Sequence, residues 1–193
     1  MSATASNPLP AGSVWNVPNR LSAARLLLAV ACFVALSLEA YAAGLTLFVL
    51  AAITDWLDGY WARRFNQITQ LGRILDPFAD KLLVCGTFIY LAAIPASGVA
   101  PWMAVVVMAR ELLVTALRSF VEQAGGDFSA KWAGKGKMVF QCAAILGALV
   151  VLMRGEPDGA LARANQVVLW AAVALTVYSG WGYASAAARM ARL

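Results

Sequence analysis

The sequence predicts an all-α polytopic membrane protein with six transmembrane helices, and two observations support this fold class. Of the 193 residues, 62% are apolar and only 13% are charged, and the mean hydropathy is +0.72. Soluble domains carry about 25% charged residues, so this chain lacks the polar surface that a soluble fold needs. The apolar residues also fall into six long stretches, and a helix needs roughly 20 such residues to cross a bilayer.

Each stretch is interpreted as one membrane-spanning helix. The predicted spans are 20–38, 42–63, 72–95, 100–123, 136–153 and 165–187. Residues 1–15 are predicted to form an N-terminal tail, and 16–193 a single transmembrane domain without repeats or linkers. An alternative treats Arg20, Arg25 and the following apolar run as a signal peptide, with an AxA-like cleavage site ending at Ala42.

Basic residues at the ends of the spans predict the orientation, because lysine and arginine are retained on the cytoplasmic side. All basic residues except Arg154 and Arg163 then lie inside. Both termini are therefore expected in the cytoplasm. The expected location is the bacterial inner membrane.

Composition also limits the chemistry. The chain has no histidine, which excludes histidine-based catalytic triads and metal sites. Its cysteines, Cys32, Cys85 and Cys142, lie far apart in apolar runs and are interpreted as packing residues. The net charge of +5 indicates anionic headgroups or phosphorylated substrates, and no nucleic acid, because the basic residues sit at span ends.

Four aspartates form the most informative cluster: Asp55 and Asp58 in the second span, Asp76 and Asp80 in the third. A carboxylate at mid-bilayer costs about 3 kcal/mol, so four together need a compensating charge. Helical spacing places each pair on one face, and the two acidic faces are expected to meet across a short turn. Oxygen ligands alone favour magnesium, manganese or calcium.

Two other interpretations of the aspartates stay open. In the first, a single aspartate simply pairs with an arginine and has a structural role. Carboxylates near mid-membrane are also typical of cation or proton transporters. Transporters often show broken helices or internal symmetry, and neither is visible in this sequence.

Small residues share the acidic faces. Gly59, Ala62 and Gly72 leave room for a bulky ligand or for close helix contact. Arg63 adds a cation suited to phosphate. A second basic group lies on the fourth span and at the start of the fifth: Arg110, Arg118, Lys131, Lys135 and Lys137. Simple retention of positive charge inside the cell explains the lysines equally well, and Glu111 can pair with one arginine.

The aspartate pattern resembles a known family. Residues 55–80 fit DxxDGxxAR(x8)GxxxDxxxD at all eight fixed positions, which is the pattern of the CDP-alcohol phosphatidyltransferases. The segment 16–22 with Arg25, the segment 72–81 and the run from Arg110 to Arg118 are similar to the phosphatidylglycerophosphate synthase branch. Ser22 and Met138 stand where that branch usually has threonine.

The resemblance implies six transmembrane helices, a homodimer and a divalent metal, Mg²⁺ or Mn²⁺, near the cytoplasmic face. It implies transfer of a phosphatidyl group from CDP-diacylglycerol to glycerol 3-phosphate, with release of CMP. The related alternatives are cardiolipin, phosphatidylinositol-phosphate and phosphatidylserine synthesis.

Roles carry over position by position. The resemblance implies metal ligation by Asp55, Asp58, Asp76 and Asp80, with Asp80 also taking the proton from the attacking hydroxyl. Spacing alone does not decide which carboxylate is base and which is ligand. The implied contacts to the nucleotide and CDP-lipid come from Asn19, Asp58, Gly59, Ala62, Arg63 and Gly72. The implied contacts to the acceptor phosphate come from Arg110, Arg118, Lys135 and Lys137.

Overall fold

The structure is a computed structural model that describes residues 17–65, 70–123 and 132–190. Within these ranges, side chains are not described for 17–19, 56, 58–65, 70–76, 120–123, 132–135 and 186–190. The tail predicted for residues 1–15 lies outside the described residues.

The described residues form α-helices joined by short connections, with no strand among them. The six helices are α1 (Val17–Ser37), α2 (Tyr41–Phe65), α3 (Gln70–Ala92), α4 (Pro101–Gln123), α5 (Trp132–Arg154) and α6 (Ala160–Met190). A single 3-10 turn, Pro95–Ser97, lies between α3 and α4. Each predicted span overlaps one helix, with ends that differ by at most five residues. The all-α prediction is confirmed.

Three helices have the length and composition of membrane spans on their own. The apolar windows are Arg20–Ser37 in α1, Gly136–Arg154 in α5 and Ala160–Ser185 in α6. In α2 the apolar stretch among the described residues is Tyr41–Asp55, and most side chains beyond it lie outside the description. In α3 the side chains before residue 77 also lie outside the description. Helix α4 carries Arg110, Glu111 and Arg118 within its length. A count of six spans therefore stays a prediction.

Helix α1 contributes one face to the packed core of the described chain. Within the described chain it packs extensively against α2 and α3, and Ala29, Cys32 and Leu36 on its inner face are buried. Cys85 of α3 is buried in the same core, while Cys142 of α5 packs against it. All three cysteines are free thiols, which agrees with their interpretation as packing residues.

The outward faces of the helices are apolar. Large side chains more than half exposed occur on several helices: Leu27, Val105, Val139, Val167 and Trp181. Continuous apolar surface of this kind is unfavourable in water and marks contact with lipid or with another protein. Together with the apolar helices, it makes this chain an integral membrane protein.

Two glycines shape α5: Gly147 lies where α5 packs closely on α6, and Gly155 follows the last residue of α5. A Cβ built on Gly147 would lie 2.1 Å from Oδ1 of Asn165, so any larger residue would force the buried Asn165 side chain to move. Gly155 follows α5 with φ 65°, and its N–H bonds to Val151 O at 3.1 Å. A left-handed glycine is the usual way to end a helix.

Candidate active site

A cavity of about 220 Å³ lies between α3, α4, α5 and α6. Its lining includes four basic and two acidic side chains: Lys81, Arg110, Arg118, Lys137, Asp80 and Glu111. Four of these were predicted as site residues from the sequence, Asp80 as an acid of the metal cluster and Arg110, Arg118 and Lys137 as cations for a phosphate. The structure brings them into one cavity.

Asp80 is the aspartate that lines this cavity among the described residues. It lies on α3 and is partly buried. Its carboxylate attracts Lys137 of α5 and Lys81, and it repels Asp55 of α2 and Glu111 of α4. Asp80 therefore stands between the acidic cluster of α2 and α3 and the cationic cluster of α4 and α5.

The cationic cluster is organised around Glu111. Arg110 Nη1 donates to Glu111 Oε1 at 3.2 Å, and Lys137 Nζ pairs with the same oxygen. All three residues are 9% exposed or less. The possibility that Glu111 pairs with one of the arginines is thus realised, and a lysine from α5 shares the carboxylate.

Helix α6 fixes the other side of Arg110. Arg110 Nε donates to Ser179 Oγ at 3.1 Å, and its guanidinium carbon lies 5.6 Å from the centre of the Tyr183 ring. A cation at that distance over an aromatic ring is attracted by the ring quadrupole. The direction of the Arg110 side chain is therefore defined by two helices.

Arg118 borders the cavity and a neighbouring groove. The groove, of about 590 Å³, runs between α3 and α4 and shares Lys81, Arg110 and Glu111 with the cavity. The Nε of Arg118 is buried and has no hydrogen-bond partner among the described residues. A buried guanidinium N–H without an acceptor is unfavourable, so this group is suited to an anionic ligand.

Several polar residues of the site were missed in the sequence. Gln141 of α5 lines the cavity and donates to Thr176 Oγ1 at 2.9 Å, while Ser179 and Tyr183 contact Arg110. Positions 176, 179 and 183 are spaced by three and four residues, so they share one face of α6. This polar stripe in an apolar helix is the signal that could have revealed them.

Asp55 pairs with an arginine of α1. Arg25 Nη1 lies 2.6 Å from Asp55 Oδ1, with the Arg25 side chain fully buried and the Asp55 side chain 41% exposed. The structural interpretation, pairing of an aspartate with an arginine, therefore holds for this one residue. Because the Asp55 carboxylate stays partly accessible, the pairing leaves room for a further ligand.

The expected meeting of the two acidic faces involves side chains that mostly lie outside the description, so it stays a prediction. In the described parts of the chain, α1 packs extensively against both α2 and α3. The buried Arg25 of α1 places a positive charge beside Asp55 of α2. Asp55 and Asp80 still repel each other electrostatically.

The remaining predicted residues have side chains outside the description. These are Asn19 in α1, Asp58, Gly59, Ala62 and Arg63 in α2, Gly72 and Asp76 in α3, and Lys135 in α5. Among the described residues no group of three or more acidic or cysteine side chains is close enough to hold a metal ion. Two of the four aspartates fall outside that search, so the predicted metal ligands stay predictions.

The described carboxylates nevertheless fit a hard divalent cation. Asp55 and Asp80 offer oxygen ligands only, and their repulsion is the kind that a cation between them removes. The cysteines are in the apolar core or packed against it. The donor set therefore suits Mg²⁺ or Mn²⁺ and does not suit a thiol-seeking metal.

Comparison with known proteins gives the class of this membrane protein. A family model for CDP-alcohol phosphatidyltransferase matches residues 15–178. The chain belongs to the CDP-alcohol phosphatidyltransferase family, and the family predicted from the aspartate pattern is confirmed.

Particular relatives carry one shared name, CDP-diacylglycerol–glycerol-3-phosphate 3-phosphatidyltransferase. The relative from Bacillus subtilis (strain 168) is 36% identical over 190 residues, covering 89% of this chain and 95% of its own. That from Rickettsia bellii (strain RML369-C) is 37% identical over 171 residues, covering 87% and 93%. That from Yersinia pestis (strain Pestoides F) is 35% identical over 143 residues, covering 73% and 76%.

Proposed function

We propose that this protein transfers the phosphatidyl group of CDP-diacylglycerol to sn-glycerol 3-phosphate, giving phosphatidylglycerophosphate and CMP. The observation that carries the proposal is the shared cavity, in which Asp80 lies beside Arg110, Arg118 and Lys137. An enzyme that joins a CDP-lipid to a phosphorylated alcohol needs an acidic and a cationic subsite side by side. The relatives named for this reaction support it.

The chemical step is a substitution at phosphorus. A hydroxyl oxygen of glycerol 3-phosphate forms a bond to the phosphatidyl phosphorus, and the bond from that phosphorus to the CMP oxygen breaks. CMP leaves with the electron pair. Asp80 accepts the proton of the attacking hydroxyl, and a positioned base of this kind contributes about 10² to 10⁴ in rate.

The acidic cluster is proposed to hold Mg²⁺ or Mn²⁺ through Asp55, Asp58, Asp76 and Asp80. When bound, the metal offsets the negative charge that develops on the pyrophosphate. Arg25 holds the Asp55 carboxylate from the side of α1. The proposed contacts to the nucleotide and CDP-lipid come from Asn19, Asp58, Gly59, Ala62, Arg63 and Gly72.

The cationic cluster is proposed to bind the phosphate of the acceptor through Arg110, Arg118, Lys135 and Lys137. Arginine suits this role because its guanidinium binds two phosphate oxygens at once, and lysine adds a point charge. The unsatisfied Nε of Arg118 supports the assignment, since it lacks an acceptor within the described structure.

A phosphorylated acceptor also separates this function from its alternatives. Serine carries no phosphate, so the acceptor of a phosphatidylserine synthase would offer no phosphate to the basic residues beside Asp80. Inositol phosphate and the lipid acceptor of cardiolipin synthesis do carry one, and the assay below distinguishes them. A divalent-cation transporter has no need of a cationic cavity next to its carboxylates.

We place the site at the cytoplasmic face of the bacterial inner membrane. The distribution of basic residues supports this, since Lys81, Arg110 and Lys137 line the cavity and Arg154 and Arg163 lie at the opposite ends of their helices. All six helices contain 21 residues or more, and about 20 suffice to span the hydrocarbon core. Six spans and a homodimer are part of the proposal.

The test is release of CMP from CDP-diacylglycerol by the purified protein in detergent or vesicles with Mg²⁺ or Mn²⁺. Glycerol 3-phosphate, inositol phosphate, serine, phosphatidylglycerol and glycerol are supplied separately as acceptors. We expect glycerol 3-phosphate to give the highest kcat/KM. A higher value for another acceptor would reject the proposed acceptor, and CMP release with none would reject the phosphatidyl transfer itself.

A further inference from the structure

Glu111 joins two of the four cations that line the cavity. It is 9% exposed, and its Oε1 atom pairs with both Arg110 Nη1 and Lys137 Nζ. The two cations come from different helices, α4 and α5. One carboxylate oxygen therefore fixes the distance between them.

The two cations depend on Glu111 to different degrees. Arg110 is also held by Ser179 and lies over Tyr183, both on α6. Within the described part of the chain, the hydrogen bond of the Lys137 side chain is the one that it donates to Glu111. Loss of the Glu111 carboxylate would therefore release Lys137 more than Arg110.

Among the described residues, the cavity has more positive than negative side chains, unlike an ion pair with a purely structural role. Four basic side chains line the cavity with two carboxylates, Asp80 and Glu111. Two buried cations share Glu111, and Arg118 Nε nearby has no acceptor in the described chain. Excess positive charge in a buried site is unfavourable unless an anion binds there. Glu111 thus reduces the repulsion between two cations and still leaves positive charge for a ligand.

We propose that Glu111 is a positioning residue for the acceptor, which holds Arg110 and Lys137 at the separation at which both reach one phosphate group. This inference rests on the proposed function, because the phosphate is that of the acceptor alcohol. Glu111 carries the same sign of charge as phosphate, so it is not expected to contact the phosphate group itself. It acts through the two cations.

The kinetic test compares Glu111→Gln with Glu111→Asp and with the native protein. The glutamine keeps the shape but removes the charge that orients Lys137. We expect the KM for glycerol 3-phosphate to rise about tenfold or more, as for loss of a charge-assisted hydrogen bond, with a smaller rise for the aspartate. The KM for CDP-diacylglycerol should change less than about twofold. Glu156→Gln, at an exposed position beyond α5, is the matched control.

A second variant keeps the proposal testable if Glu111→Gln lowers stability. Ser179→Ala removes one bond to Arg110 and changes no charge, so the fold should tolerate it. We expect it to raise the KM for glycerol 3-phosphate by a few fold. A fall in that KM in Glu111→Gln, or equal rises in the KM of both substrates, would overturn the proposal.

A binding measurement separates this inference from the proposed reaction. Inorganic phosphate is added to the full chain in detergent, and the shift in Tm is measured. We expect phosphate to stabilise the native protein and the Glu156→Gln control, and to stabilise Glu111→Gln markedly less. Equal stabilisation of Glu111→Gln, or none of the native protein, overturns the positioning role. If the binding result holds while glycerol 3-phosphate is a poor acceptor, only the proposed acceptor fails.

Discussion

Arg25 of α1 and Asp55 of α2 form an ion pair in which Nη1 and Oδ1 are 2.6 Å apart. The arginine side chain is fully buried, and the aspartate side chain is 41% exposed. Their contact links the N-terminal helix to the first aspartate of the family pattern. Helix α1 is therefore in contact with the aspartate pattern as well as with the core.

Replacing Arg25 tests that link. Breaking a fully buried ion pair costs about 3 to 5 kcal/mol, and we expect less for Arg25→Ala, about 1 to 3 kcal/mol, because solvent screens the Asp55 side. Arg25→Lys should retain part of this stability. Thermal unfolding in detergent measures the change, and CMP release should fall in both variants. Unchanged stability and activity in Arg25→Ala would show that the ion pair has no role.

Replacing Asp76 or Asp80 by asparagine should have different effects on substrate binding and on kcat. Chelation of divalent metal should stop turnover, and Asp76→Asn should weaken both metal and nucleotide binding because it removes a charged oxygen ligand. If Asp80 acts mainly as the base, Asp80→Asn should keep CDP-lipid binding and lose about 10² or more in kcat. Isothermal titration and CMP release distinguish the two effects. Equal loss of binding in both variants would make Asp80 a principal metal ligand.

We expect Arg118 to bind the phosphate group of the acceptor. Charge-assisted hydrogen bonds contribute roughly 1.5 to 3 kcal/mol, so Arg118→Ala should raise the KM for glycerol 3-phosphate about tenfold or more. Plain glycerol lacks the phosphate and should be a poor acceptor in both proteins, almost insensitive to the substitution. Steady-state kinetics with the two acceptors makes the comparison. An equal effect on both alcohols would assign Arg118 a structural role.

The close approach of α5 and α6 predicts a difference between two glycines. In Gly147→Ala the new methyl group would collide with Asn165, at 2.1 Å from its Oδ1, and we expect a loss of about 1 to 3 kcal/mol from overpacking. The control is Gly182→Ala in α6, where a Cβ meets nothing within 4 Å. There the better helix propensity of alanine should leave Tm unchanged or raised. Thermal unfolding of both variants in one detergent gives the comparison.

Reporter fusions test the orientation. Ser97 lies in the turn between α3 and α4, and Pro157 lies between α5 and α6. With both termini in the cytoplasm and six spans, reporters after Ser97 and near Pro157 should be external. A cytoplasmic signal at either point would contradict the proposed topology.

The positions of the helices were predictable because each helix coincides with a long apolar stretch of the sequence. Six stretches correspond to six helices among the described residues, and the largest difference between a predicted and an observed end is at the start of α6, at Ala160. The cavity was partly predictable, since Asp80, Arg110, Arg118 and Lys137 were chosen for their charge in an apolar chain. Their neighbours were not.

What could not be predicted is the pairing across helices. Arg25 and Asp55 lie on different helices, and nothing in the local pattern says which face of α1 turns towards α2. Glu111 was recognised only as a neighbour of Arg110, because its contact with Lys137 depends on how α4 packs relative to α5. Neutral polar residues such as Ser179 are even harder to find, since they cost little in an apolar helix.

The uneven composition of the helices has a consequence for how the protein enters the membrane. Helices α1, α5 and α6 each contain an apolar window long enough to span a membrane. In α4, Arg110 and Glu111 lie near the middle of the helix, and their charges oppose insertion of that helix alone. Glu111 pairs with Arg110 and with Lys137 of α5, so the cost falls once α5 has joined α4. We therefore expect stable insertion of α4 to depend on a helix that is synthesised after it.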